Sequence, residues 1–285
     1  MTRLLVAAVC LICLSSASAE GPLRFTAIPD ENTARLVERF GRVADYLAEE
    51  LGVPVEYIPV KSYAASVAAF KNSEVHLAWF GGLSGVKARL AVPGSRAIAQ
   101  GEEDLRFVTY FIAHHSTGLT LSEGFPEAIA GKTFTFGSKG STSGRLMPEF
   151  FVRQHFGKAP DEVFERVGFS GDHSKTLALV QSGSYQVGAL NFKVWERSLA
   201  EGIVDTSRVR VIWRTPTYPD YNWTIRAGVD EHFGKGFSER VQQALLELDD
   251  RALLDSFPRR RFIAADNSMY RPILETGRVT GVFRE

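Results

Sequence analysis

The chain has 285 residues, 45% hydrophobic and 23% charged, enough to bury a sizeable core in two α/β lobes or one large domain. Its 33 Lys and Arg balance 33 Asp and Glu, so no basic field points to nucleic acid or an anionic membrane surface. Any selectivity for an anion must therefore come from a local site.

The amino terminus has the layout of an export signal. Arg3 supplies the positive segment, and residues 4–14 form an apolar run too short to span a bilayer. Ser15-Ser16-Ala17-Ser18-Ala19 then ends in an A-x-A cleavage pattern. Residues 1–19 are read as a removed signal peptide, with the mature chain starting near Glu20. Cys10 and Cys13 both fall in that segment, preceded by Val9 and Ile12 rather than the small residue that a lipid-bearing cysteine normally follows. The mature protein is expected to be periplasmic, without cysteine, disulfide or lipid anchor.

From 23 to about 90 the sequence alternates strand and helix three times. Residues 23–28 read as a strand ending at Pro29-Asp30. Leu36, Val37, Phe40, Val43, Ala44, Leu47 and Leu51 then follow helical spacing, closed by Gly52 and Pro54. Residues 55–60 form a second strand, Ser62 caps a helix running to Phe70, and 75–80 form a third strand ending in Gly81-Gly82. A second series begins after Tyr110-Phe111-Ile112-Ala113, and crossovers between the lobes are expected near 108–113 and 214–223. Residues 132–136 form a strand, a Gly- and Ser-rich loop reaches Gly144, and a helix follows with Leu146, Met147, Phe150 and Phe151 on one face. A helix at 174–181, strands at 186–190 and 208–213, a two-proline interruption at 215–220, a strand at 222–227 and an amphipathic helix at 241–248 complete the pattern. Such alternation predicts an α/β fold, each lobe a mostly parallel sheet flanked by helices. The parse is 20–110 for the first part of lobe one, 111–215 for lobe two and 216–285 for the return segment of lobe one. Ligands of such sheets bind beyond the carboxyl ends of the strands.

Gly137-Ser138-Lys139-Gly140-Ser141-Thr142-Ser143-Gly144, between a strand and a helix, is the strongest local signal. Free amides and partial positive charge at a helix start, joined by the hydroxyls of Ser141, Thr142 and Ser143, suit a bound oxyanion. The bland alternative is an ordinary loop whose serine caps the helix. Three nucleotide or catalytic patterns fail on spacing: Gly144 is followed by Arg145 and not Lys, no G-x-G-x-x-G is present, and Thr142 stands where a nucleophile elbow needs serine. His173, at the start of a helix, would be held neutral there and donate to an anion; a capping or surface histidine is the alternative. His114-His115 do not form a metal site, because neighbours on a strand point to opposite faces. Trp79 and Phe80, or Tyr218, Tyr221 and Trp223, are candidate cleft walls or simply core. Asp220 repels an oxyanion unless the ligand keeps a proton to share.

Together these segments resemble the phosphate/phosphite/phosphonate-binding proteins of ABC transporters, nearest to the subgroup named for selenate binding. The residues that carry the resemblance are Ala27-Ile28-Pro29-Asp30, Leu77-Ala78-Trp79-Phe80-Gly81-Gly82, Phe136-Gly137-Ser138 with Ser141-Thr142-Ser143-Gly144, Gly171-Asp172-His173 and Tyr218-Pro219-Asp220-Tyr221. The resemblance implies a two-lobed periplasmic binding protein, type II-like, closing by a hinge on a small oxyanion (phosphite, phosphonate, phosphate or selenate). It implies ligand contacts from Ser141, Thr142, Ser143, His173, Trp79, Asp220 and Tyr221, and a looser one from Tyr63. Phe80 stands where phosphite-type members often have tyrosine, and Gln186 where many relatives have Asp, which disfavours amine-bearing ligands. No cofactor, metal, nucleic acid or catalysis is expected; the expected partner of the monomer is an inner-membrane ABC permease. Two other readings are a ligand-presenting sensor partner and a Ser/His esterase using Ser141 or Ser143 with His173.

Overall fold

The computed structural model describes residues 21–283. The expected leader, with Cys10 and Cys13, lies outside the described residues.

The first α/β units follow from simple patterning. Leu23–Ala27 (β1) is almost wholly buried because helices cover both faces of its sheet. Thr33–Leu51 (α1) turns Leu36, Phe40, Val43, Leu47 and Leu51 inward at helical spacing, and the Asn32 side chain caps it by accepting from Ala34 N at 2.9 Å. Val55–Tyr57 (β2), Tyr63–Lys71 (α2), Leu77–Phe80 (β3) and Gly82–Ala91 (α3) follow, with Ser62 capping α2 as expected. Arg96–Gly101 (β4) was not legible in the sequence, since Arg96 and Gln100 interrupt its short apolar run.

The second half contains Thr109–His114 (β5), Thr133–Phe136 (β6), Met147–Phe156 (α4), Pro160–Val163 (α5), Arg166–Phe169 (β7) and His173–Gln181 (α6). Val187–Asn191 (β8), Phe192–Ala200 (α7), Val209–Arg214 (β9) and Asn222–Ile225 (β10) continue the chain. Val229–Phe233 (α8), Phe237–Glu247 (α9), Arg251–Ser256 (α10), Phe262–Ala264 (β11) and Arg271–Val279 (α11) close it.

Two sheets result. The first has the order β11-β4-β10-β3-β1-β2 and the second β7-β6-β8-β5-β9. The expected α/β architecture is present, but the sheets are mixed rather than mostly parallel. Among the described residues, only β1 with β2 and β3, and β6 with β7 and β8, pair in parallel. Strands that arrive from the other sheet reverse the pattern: β10 enters antiparallel between β3 and β4, and β5 pairs antiparallel with β8 and β9. A strand entering from the opposite lobe starts at the end where its neighbours finish, so it must run against them.

The two crossovers, 107–109 and 214–222, lie side by side as an antiparallel ribbon. Phe107 and Tyr218 exchange backbone bonds of 2.9 and 3.0 Å, and Asp220 N donates to Asp104 O at 3.0 Å. Because β10 pairs Asn222 with Phe80 and β5 pairs Thr109 with Asn191, the ribbon sits at the carboxyl ends of β3 and β8. Beneath it, Phe25, Phe40, Trp79, Trp223, Phe257 and Phe262 form a continuous aromatic core. Phe40 is fully buried and meets three of these rings. Phe40→Ala should cost about 3–5 kcal/mol of unfolding free energy in a urea titration, the range for emptying an aromatic site in a packed core.

Candidate functional site

The Gly-Ser loop after β6 folds into a wide first turn. Ser141 caps it by accepting from Gly144 N at 2.9 Å, and Leu146 N reaches back five residues to Ser141 O at 3.0 Å. This π-type turn, Thr142–Leu146, leads into α4, whose second residue is Pro148, where a missing N–H costs least. Ser141, Thr142 and Ser143 are all buried. Thr142 Oγ1 accepts from Leu83 N at 3.0 Å, a bond between the two lobes, and Thr109 Oγ1 donates to Ser143 O at 2.8 Å. Ser141 therefore spends one lone pair on backbone while keeping its own O–H to give, and the Thr142 hydroxyl faces Asp220. The Ser143 hydroxyl is buried without a partner.

His173 opens α6 after Asp172 caps it. The ring is fully buried, which pulls its pKa below the usual range and keeps it neutral. Asn191 N donates to Nδ1 at 3.3 Å, so the proton stands on Nε2, a buried donor without a partner. A ring with that tautomer cannot take a proton from serine through Nε2. Asp172 does not orient the ring either, because its carboxylate accepts from Lys175 N and pairs with Lys175 Nζ. The esterase reading fails on both counts. Gly144 matters here: a Cβ on it would stand 3.0 Å from His173 Cε1, so only glycine lets the serine turn and the ring approach this closely.

Asp220 and Tyr221 come from the second crossover. Gly82 N donates to Asp220 Oδ1 at 2.8 Å, while Oδ2 is buried and unpartnered. Burial pushes Asp220 up to about 7, with the Thr142 hydroxyl and the Gly82 amide pulling the other way. The Tyr221 hydroxyl donates to Asp30 Oδ2 at 2.8 Å and accepts from Asn191 Nδ2 at 3.0 Å. Tyr63 is buried at the start of α2, its hydroxyl near Ser141 but without a hydrogen-bond partner; burial holds it and Tyr221 well above the usual tyrosine range, hence protonated. Trp79 stacks on Tyr221 at 5.4 Å between ring centroids and so backs the site from the core. Phe80 points to the opposite face of β3 and packs edge-on against Phe70.

Sequence reasoning marked Asp30 only as part of a strand end within the resemblance, without a ligand role, and missed Asn191. Asp30 O accepts from His173 N at 3.0 Å across the lobes, and its Oδ1 is a further unpartnered acceptor. The ending of β1 at Pro29-Asp30 was the available signal. Asn191 gave none, because an asparagine capping a helix is commonplace; here it caps α7.

A groove of about 650 Å³ lies elsewhere, between α1 and the α6–α7 pair. Its rim is closed by charges that satisfy one another, with Arg35 donating twice to Glu201 at 2.8 and 2.9 Å, so we place the candidate site at the serine turn instead. His114 and His115 depart from expectation: their ring centroids are 4.2 Å apart, because β5 ends at His114 and a tight turn begins at His115. Among the described residues no group of three His, Cys, Asp or Glu is placed to hold a metal ion.

Comparison with known proteins now bears on this arrangement. The family described as ABC transporter, phosphonate, periplasmic substrate-binding protein matches residues 25–270. The chain belongs to that family. It is 40% identical over 263 residues to the probable ABC transporter phosphite binding protein PhnD1 of Prochlorococcus marinus, covering 90% of this chain and 89% of that one. The structure of that PhnD1 in complex with methylphosphonate superposes with a TM-score of 0.87 at 39% identity, covering 92% of this chain and 98% of that one. A binding component of a Pseudomonas aeruginosa ABC phosphonate transporter shares the fold, with a TM-score of 0.80 at 19% identity over 92% of this chain and 87% of that one. The protein is thus a substrate-binding component of an ABC transporter and not an enzyme, in a family that works in the periplasm with a permease.

Gly140 is where the loop after β6 of the second sheet meets Tyr63 at the start of α2: a Cβ there would lie 2.8 Å from Tyr63 Cβ. Gly140→Val should hold the lobes apart, raising the radius of gyration in X-ray scattering while unfolding with unchanged cooperativity.

Proposed function

We propose that the chain captures phosphite or a small phosphonate between its lobes and delivers it to an inner-membrane ABC permease. The observation that carries this reading is a set of five buried polar atoms without partners. Tyr63 Oη, Ser143 Oγ and His173 Nε2 are donors, while Asp30 Oδ1 and Asp220 Oδ2 are acceptors. Buried polar atoms are costly unless bonded, so three donors beside carboxylates suit an anion that still carries a hydrogen. Phosphite, phosphate and phosphonates keep a hydroxyl near neutrality; sulfate and selenate do not. Selenate therefore ranks behind them, and the methylphosphonate and phosphite named for PhnD1 support the same order. Ser141 and Thr142 complete the grip in this reading, with Tyr221 holding Asp30 and Trp79 behind it, while Phe80 faces away.

The same reading takes the first sheet as lobe one and the second as lobe two, hinged on the ribbon at 107–109 and 214–222. It also takes residues 1–19 as cleaved, and the mature protein as a free monomer without lipid.

Titration calorimetry against phosphite, methylphosphonate, phosphate, sulfate and selenate tests it, and heat from none of them sinks it. Ser143→Ala should weaken methylphosphonate about tenfold to a hundredfold, the worth of one hydrogen bond to a charged group. The pH dependence follows from Asp220. Below about 7 its carboxyl is protonated and donates to the oxyanion; above, it is ionised and needs the ligand's hydroxyl. Once pH exceeds that value and the ligand's second ionisation, no proton remains between them and affinity should fall. Asp220→Asn, which always presents an N–H, should flatten that alkaline fall and tighten sulfate and selenate.

A further inference from the structure

A buried ion pair lies directly behind Asp220. Arg259 grips Asp104 with two parallel bonds, Nε to Oδ2 at 2.9 Å and Nη2 to Oδ1 at 2.7 Å, and both side chains are excluded from solvent. Asp104 stands just ahead of the first crossover, and its carbonyl accepts from the Asp220 amide of the second at 3.0 Å. The guanidinium also covers Phe107 at 5.7 Å and Tyr221 at 5.3 Å, one ring from each crossover. Gly101 N adds a third bond to Asp104. Arg259 is brought in from beyond α10, more than thirty residues past the ribbon. A pair of apolar residues would fill the space without the desolvation penalty of two ions, so packing alone does not account for the choice.

We infer that the Asp104–Arg259 pair is a positioning device for Asp220, fixing where its carboxyl stands and balancing the charge around it. The inference rests on the ligand-site reading above. Asp104 and Arg259 act on Asp220 in opposite senses, the anion resisting its ionisation and the guanidinium favouring it. The other groups around Asp220 are Thr142, the Gly82 amide and the buried Tyr63, Tyr218, Tyr221 and Tyr270, the four tyrosines held protonated by burial, with the Asp30 carboxyl beyond them on the Tyr221 hydroxyl. The pair is the charged feature bonded to the Asp220 backbone, and losing one member leaves the other uncompensated.

The test is sulfate affinity by calorimetry between pH 5 and 9: sulfate brings no proton, so its binding follows the protonation of Asp220 alone, and no sulfate heat even at pH 5 would count against the inference. Asp104→Asn leaves a cation that cannot be neutralised, so the alkaline fall should begin about one pH unit lower. The double variant Asp104→Leu with Arg259→Met removes both charges and should return the fall close to its original place. A purely structural role predicts equal loss of affinity at every pH in both variants and would overturn the inference. Arg259→Lys keeps the charge but not the fork; it should weaken binding about tenfold at all pH with the fall unmoved. Unchanged affinity there would also count against it, and this variant serves if Asp104→Asn does not fold. Asp220→Asn separates the two levels. An alkaline fall that persists in it sinks the ligand-site reading and this inference together, whereas a fall lost there but unmoved in Asp104→Asn sinks the pair's role alone.

Discussion

A polar group taken out of water must find a partner or carry a free-energy penalty. This fold gathers five such groups at one place, the line where the carboxyl ends of two sheets face each other across a two-stranded ribbon. Hydroxyls of Tyr63 and Ser143, the imidazole of His173 and the carboxyls of Asp30 and Asp220 are all buried there, each with one polar atom unmet. The surrounding architecture fixes them from five separate segments. Asp30 follows the end of β1, α2 begins at Tyr63, the turn before α4 carries Ser143, α6 begins at His173, and the second crossover carries Asp220.

Much of this was legible in the sequence because the signals were local. The serine turn announced itself by Gly and Ser between a strand and a helix, and the caps Ser62 and Asp172 sit where capping chemistry requires. The α/β class followed from alternating periods. The strand directions did not, since pairing depends on which strands arrive from the other lobe, a long-range fact that a run of apolar residues does not encode. β4 was lost for a related reason: Gln100 is fully buried yet polar, satisfied by the Tyr270 hydroxyl far along the chain, and so it broke the expected apolar run.

The site shows the same division. Ser141, Thr142, Ser143, His173 and Asp220 stood out through motif and charge. Asn191 did not, because its two tasks, capping α7 and bonding Tyr221, depend on a neighbour 30 positions away. Nor did the sequence reveal that Ser141 and Thr142 already hold backbone amides. The tautomer of His173 likewise depends on the Asn191 amide, and it is this bond that turns a possible base into an obligate donor.

Two of the bonds that join the lobes use main-chain groups: the Leu83 amide meets Thr142, and the Asp30 carbonyl meets the amide of His173. Main chain is the same whatever side chain it bears. The contacts that bring the halves together are thus largely insulated from drift at positions 83 and 173, whereas the unpartnered atoms of the proposed ligand site are side-chain atoms exposed to every mutation. Such a scaffold can change its diet while keeping its bite.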